Sequence, residues 1–392
     1  MEQLQRGQSP SSVRFYNFKT IFMAVYGADR ITKREIQDIT SLSWGTVTTM
    51  VDRLEEAGYI VKNGKAFTNG RSAAYYSVNR DRGSVIGIDL NLSGATAVST
   101  DCYGQVRKSV SVPLSKDGAE AVIAQIIGMT DEIIKQTPGM IYGIGVAVQG
   151  TLDTQHGVSS SILQIPDWKD VRLAEIFEKK FGCKTYLLHD PDCINLAEQK
   201  IGANISDYNR GTIALIRIDS GVGLSTLINN HLSTNGYASE LGHICVEPHG
   251  PRCLCGNIGC LEEYASTGGI SRRYTAIGGE PNTPAGEIAE RAKEGDRRAD
   301  SVIRGFCEKL GMAVSSIVNM LPIDTVIFYG ELSRVLSEND AEFRQQFNSH
   351  VFMHRQVNVR YSALSGDAAA IGASLWATKN LLRELSFSEM EE

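Results

Sequence analysis

Between His243 and Cys260 the chain reads His-Ile-Cys-Val-Glu-Pro-His-Gly-Pro-Arg-Cys-Leu-Cys-Gly-Asn-Ile-Gly-Cys. Cys253, Cys255 and Cys260 fall within one short loop, with His243 just upstream. Three thiolates and one imidazole make a closed four-ligand set, the usual composition of a structural Zn2+ site with no open coordination position. Gly256 and Gly259 let the loop turn tightly enough for the three sulfurs to converge. His249 is a competing fourth ligand, and Cys245 is spare by count. Cys102, Cys183, Cys193 and Cys307 are scattered singly and do not look like a disulfide framework.

Such a loop needs a scaffold, and the bulk numbers bound it. The chain has 392 residues, enough for two or three domains with substantial cores. A hydrophobic content of 42% and a charged content of 21% are those of an ordinary soluble protein. No apolar run approaches a membrane span, and the N-terminus lacks a basic-then-apolar signal layout, so a cytoplasmic location with no membrane partner is expected. The net charge of -6 is unevenly spread. Residues 1–80 carry 11 Lys and Arg against 7 Asp and Glu, while residues 81–392 carry 28 against 38. A basic head on an acidic body suggests that only the head meets nucleic acid.

The head has the pattern of a winged helix-turn-helix over residues 1–80. Phe15, Phe18, Ile21, Phe22 and Val25 mark an apolar helix over 14–27. Thr32-Lys-Arg-Glu35 is a capping box that starts a second helix, ending near Thr40. Ser43 is a good N-cap for a third, in which Val47, Met50, Val51 and Leu54 form the core stripe. Trp44, Gly45, Thr46, Thr48, Thr49 and Arg53 are left for the opposite face, the face that enters a major groove in this motif. The threonines favour phosphates and thymine methyls over bidentate guanine readout. Asn63-Gly64 predicts a hairpin turn, and Gly70-Arg71 a wing tip that reaches phosphates or the minor groove. Double-stranded DNA is the implied partner.

After Arg80 the pattern becomes α/β. Strands are predicted at 85–89, 95–99 and 105–112, then a helix over 117–136. A similar order returns with a strand over 213–219 and a hairpin partner over 224–228. Two such units argue for duplicated lobes with a cleft between them, with Asp89 and Asp219 at strand ends facing that cleft.

These residues resemble the ROK family (repressors, open reading frames and sugar kinases). The resemblance covers nearly the whole chain and is strongest from Glu240-Leu-Gly-His243 through Cys-x-Cys-Gly-x-x-Gly-Cys-Leu-Glu262. The attached head makes the chain similar to the transcriptional-regulator branch. The resemblance implies a two-lobed ribonuclease-H-like, actin-like fold. Expected boundaries are 81–200 for the first lobe, completed by a C-terminal helix over 365–385, and 201–364 for the second lobe with the zinc loop. It also implies a sugar or sugar-phosphate effector held by His189, Asp190, Glu240, His243 and Glu262, with His189 replacing the family's Asn and Ser239 its Gly. Carboxylates suit that work because vicinal hydroxyls can donate in pairs to one group. Read alone, Asp190 could equally cap the helix that follows it.

The family's kinases open with Asp-x-Gly-Gly-Thr, whose glycines admit phosphates to the backbone. This chain has Asp89-Leu-Asn91-Leu92-Ser93 there, Asp219-Ser220-Gly221-Val222-Gly223 at the second phosphate loop, and Tyr329-Gly330-Glu331 at the adenosine segment. Three altered loops argue against ATP binding. The expectation is therefore a sugar-responsive, DNA-binding repressor of carbohydrate-utilisation genes, a homodimer or homotetramer and not an enzyme. The alternative is a ROK sugar kinase with a DNA-binding head, in which Asp190 would be the base.

Overall fold

The computed structural model describes residues 10–68, 71–92, 94–115, 117–204, 208, 211–233 and 239–384. Two compact units divide the chain. One comprises Met1–Ser84, Pro138–Tyr142 and Lys379–Glu392; the other comprises Val85–Thr137 and Gly143–Thr378.

In the first unit, helix α1 (Pro10–Tyr26) buries Phe18, Ile21, Phe22 and Val25. It starts before the apolar stretch, because proline's fixed φ suits a first helical turn. Strand β1 (Ile31–Thr32) leads into α2 (Lys33–Thr40). The capping box closes as expected: Glu35 N–H donates to Thr32 Oγ1 and Thr32 N–H donates to Glu35 Oε2. Ser41 stops α2 in the left-handed region at φ 56°. Ser43 then accepts from Thr46 N–H and opens α3 (Trp44–Glu56), which buries Val47, Met50, Val51 and Leu54.

Strands β2 (Ile60–Thr68) and β3 (Arg71–Val78) form the wing, with β1 on the outer side of β3. Asn63-Gly64 is not the hairpin turn that the dipeptide predicts. The antiparallel register slips between Lys62 and Lys65, and pairing continues to Thr68 opposite Arg71. Gly64, at φ 90°, forms a bulge in β2, a second use of the same local backbone preference.

The second unit contains two five-stranded sheets. The first uses β4 (Gly83–Asn91), β5 (Gly94–Thr100), β6 (Val106–Val112), β7 (Met140–Val148) and β11 (Thr185–His189), in the order β11-β7-β4-β5-β6. A small sheet of β8 (Thr151–Asp153), β9 (Val158–Ser161) and β10 (Lys169–Val171) lies between β7 and β11 in the chain. The second large sheet uses β12 (Thr212–Ile218), β13 (Val222–Ile228), β14 (His231–Leu232), β15 (Ile323–Tyr329) and β16 (Asn358–Tyr361), in the order β14-β13-β12-β15-β16. Both sheets therefore place an antiparallel meander on one side of their first strand and two later strands on the other. The repeat suggested by the strand pattern is a repeat of topology, and the expected two-lobed α/β architecture is present.

Helices α4 (Ala119–Gln136) and α5 (Leu173–Phe181) belong to the first lobe, and α6 (Asp190–Ile201) follows β11 directly. The C-terminal helix Ala368–Glu384 crosses the first large sheet where Gly87 and Gly145 offer no side chain. A methyl group at either glycine would overlap the Ala370 or Ala373 carbonyl. Successive residues of β12 point to opposite faces. Ala214, Ile216 and Ile218 pack into the second lobe's core, with the long helix Arg297–Met320. Ile213 and Leu215 face the core shared with α6 and the C-terminal helix. Arg217 continues that second face, and this places a cation in the cleft. Among the described residues no helix is long and apolar enough to cross a membrane.

Candidate sugar pocket and metal loop

The metal loop is shaped by its glycines. Gly256 and Gly259 have φ of 94° and 71°, and a side chain at 259 would overlap the Glu247 carbonyl. A bridge pairs Cys245 with Cys260, and Cys253 N–H donates to the Asn257 carbonyl at 2.8 Å. The ligand atoms of His243, Cys253, Cys255 and Cys260 all lie within 4.8 Å of one another. His249 is not in this group. Cys253 Sγ lies 3.7 Å from His243 Nδ1, and Cys255 Sγ 3.7 Å from Cys260 Sγ. A tetrahedron with Zn–S near 2.3 Å and Zn–N near 2.0 Å has edges of roughly 3.5–3.8 Å. The same spacing is far too long for a disulfide. The donor set therefore fits zinc in both chemistry and geometry.

His243 leads from this loop to the cavity. Its Nε2 lies 4.0 Å from Glu240 Oε2, on the opposite edge of the ring from Cys253. Glu262 begins the helical turn Glu262–Ala265 two residues after Cys260 and accepts from Val222 N–H at 3.4 Å. Burial pushes the Glu262 carboxyl up, and the nearby His243 opposes that shift. From the other lobe, β11 delivers His189 and α6 starts at Asp190, with Pro191 in its first turn. His189, Asp190, Glu240, His243 and Glu262 all line one cavity of about 370 Å³. Leu163, Gln164 and Leu92 close it on the first-lobe side, and Leu254 of the metal loop on the other.

Asp190 does not cap α6. The N-cap position belongs to His189, and Arg217 Nη1 donates to Asp190 Oδ2. Arg217 Nη2 reaches Asp219 Oδ2 at 3.4 Å. This ion pair, buried on both sides, was not anticipated from the sequence. The available signal was an Arg inside an otherwise apolar strand, Ile213-Ala-Leu-Ile-Arg-Ile218. Gln149, at the end of β7, also lines the cavity, and its Nε2 is buried without a hydrogen-bond partner. His189 Nε2 is likewise unpartnered, and burial lowers the ring's pKa to about 4, so the imidazole is neutral.

Arg217 also lines a second cavity of about 550 Å³, with Asp89, Asn91, Asp219, Tyr329 and Asp367. Asn91 Nδ2 donates to Asp89 Oδ2 at 2.8 Å, while Asp89 Oδ1 is buried and unpartnered. Burial raises the Asp89 carboxyl and Arg217 opposes the shift. Asn91 pairs with Gly94 where β4 meets β5.

In the head, Trp44, Gly45, Thr49 and Arg53 are exposed on one side of α3. Thr46 Oγ1 lies 2.9 Å from Ser43 Oγ, within the N-cap. Thr48 Oγ1 is buried without a partner, so its hydroxyl is turned away from the exposed face. Gly70 and the side chain of Arg71 lie outside the described residues.

A DNA-binding head joined to a two-lobed sugar-kinase-like body is the class that these features define. Residues 24–61 match a winged helix-turn-helix DNA-binding family, and residues 85–380 match the ROK family. The chain belongs to the ROK family. It is 27% identical over 384 residues to the xylose repressor of Caldicellulosiruptor bescii, covering 90% of this chain and 92% of that one. It is 29% identical over 269 residues to the glucokinase of Thermotoga maritima, covering 64% of this chain and 82% of the kinase. The fold matches the crystal structure of a ROK family transcriptional regulator, a homologue of the E. coli MLC protein, with a TM-score of 0.79 at 22% identity. That match covers 94% of this chain and 96% of the other.

Proposed function

We propose that this chain is a sugar-responsive transcriptional repressor of carbohydrate-utilisation genes, acting in the cytoplasm. The observation that carries the reading is the convergence of His189, Asp190, Glu240, His243 and Glu262 on one cavity, in a chain that also bears a DNA-binding head. The likeness to a xylose repressor along nearly its full length supports it.

A sugar or sugar phosphate occupies the cavity, and its hydroxyls donate to the carboxylates of Asp190, Glu240 and Glu262. His243, Cys253, Cys255 and Cys260 would hold Zn2+, which would supply structural cross-linking of the loop. His243 uses Nδ1 toward the cysteines and presents Nε2 to Glu240 and the cavity, so the loop orients the binding groups. Trp44, Gly45, Thr46, Thr49 and Arg53 of α3, with Gly70 and Arg71 of the wing, meet double-stranded DNA. A homodimer or homotetramer sets two heads on a pseudo-palindromic operator. Effector binding shifts the population toward a state of lower operator affinity.

The chain is not a kinase in this reading. The second cavity presents Asp89, Asp219 and Asp367 to any phosphate. A gel-shift titration of the full chain on its own promoter region provides the test. Release by one or more sugars is expected, and indifference to every sugar would remove the reading. ATP-dependent turnover of a hexose panel would restore the kinase alternative.

A further inference from the structure

We infer that the effector is an unphosphorylated saccharide. This deepens the sugar-pocket reading and rests on it.

The argument is one of charge. Four carboxylates line the smaller cavity: Asp190, Asp192, Glu240 and Glu262. Arg217 is the one Lys or Arg side chain among the described residues that line it, and it is already shared between Asp190 and Asp219. A phosphate would have to displace a carboxylate from that guanidinium and then face the carboxylates left behind.

The helix end that would normally attract an anion is also taken. The first turn of α6 lines the cavity, and Asp190 and Asp192 stand in that turn, where a helix start would otherwise favour an anion. Their negative charges occupy the field that a phosphate would use. Moving the phosphate into the adjoining cavity does not help. That cavity adds Asp89, Asp219 and Asp367 and shares the same Arg217.

The neutral groups of the smaller cavity suit hydroxyls. Gln149 and His189 both line it. Both side chains are neutral, one from its amide chemistry and the other because burial disfavours the imidazolium. Neutral nitrogens beside carboxylates match a ligand that both donates and accepts through O–H groups. They give a doubly charged phosphoryl group nothing to balance it. The cavity volume of about 370 Å³ suits a small ligand.

The test pairs each sugar with its phosphate on the intact, zinc-loaded chain. Thermal shift and calorimetry are run with xylose, glucose and N-acetylglucosamine, beside the 6-phosphates of the two hexoses. The expected result is that at least one free sugar binds, and that a 6-phosphate binds more than about tenfold more weakly than its parent. Binding of the free sugar should also change little between about 50 and about 300 mM salt, because an uncharged ligand has no screened attraction to lose. A phosphate that binds as tightly as its parent, or more tightly, overturns the inference and leaves the sugar pocket standing. If neither form of any sugar binds, the pocket reading itself falls, and the inference with it.

Discussion

The two cavities meet at Arg217, and the lobes that frame them share one strand order, yet their linings differ in kind. The smaller one mixes carboxylates with neutral nitrogens, and the metal loop forms part of its wall. The larger one is lined by Asp89, Asp219 and Asp367 together with the same Arg217, and Asp89 Oδ1 is left unpartnered. In the proposed reading the first accepts hydroxyls, and the second, with its three carboxylates, repels phosphate. A duplicated topology provides two concave places, and a few side chains at strand ends decide what each will accept.

The comparison can be broken most forcefully at the metal. Zinc-binding free energies of structural sites are on the order of 10 kcal/mol, so chelation or Cys253→Ser should unfold the loop and abolish sugar binding. Mass spectrometry should find about one zinc ion per chain. Metal-free protein with full sugar affinity would detach the loop from the pocket.

Arg217 belongs to both cavities and should produce the next largest effect. Arg217→Met leaves Asp190 and Asp219 without their cation and should cost about 3–5 kcal/mol in urea unfolding. Adding Asp190→Asn should recover part of that loss, because the two sites share one interaction. A cost below about 1 kcal/mol would mean that the pair contributes little.

His189 belongs to the smaller cavity alone. Its pKa of about 4 in the folded chain lies below the ordinary 6.5. The unfolded chain therefore takes up a proton below pH 6.5 that the folded chain refuses until about pH 4. Stability should fall as pH drops across that window, by roughly 3 kcal/mol in all, and level off for this group below it. His189→Asn should remove the corresponding part of the slope, which denaturant melts at stepped pH would show.

The smallest effect is a control in the head. Ser43→Ala removes the N-cap of α3 and should cost about 1 kcal/mol, with sugar binding unchanged. A change in sugar affinity would show that the separation drawn between head and pocket is too sharp.

Short-range chemistry is legible in the sequence. The Cys-x-Cys-Gly-x-x-Gly-Cys run, the Thr32–Glu35 box and the Ser43 cap each act within a few residues, so residue identity and spacing carry their geometry. The wing turn misled for the same reason. Asn63-Gly64 states a local backbone preference, and a bulge satisfies it as well as a turn does.

The sequence also carried the family, the two-lobed plan and the set of residues on which a sugar pocket could be built. It favoured His243 over His249 beside the cysteines, left open whether Asp190 caps its helix, and set Thr48 on the DNA-facing side, where the fold instead buries its hydroxyl. The Arg217–Asp190 pair joins residues 27 positions apart. The neutrality of His189 depends on what surrounds it on every side. Both follow from burial and from which strand face meets which helix end, and only the folded chain brings those partners together.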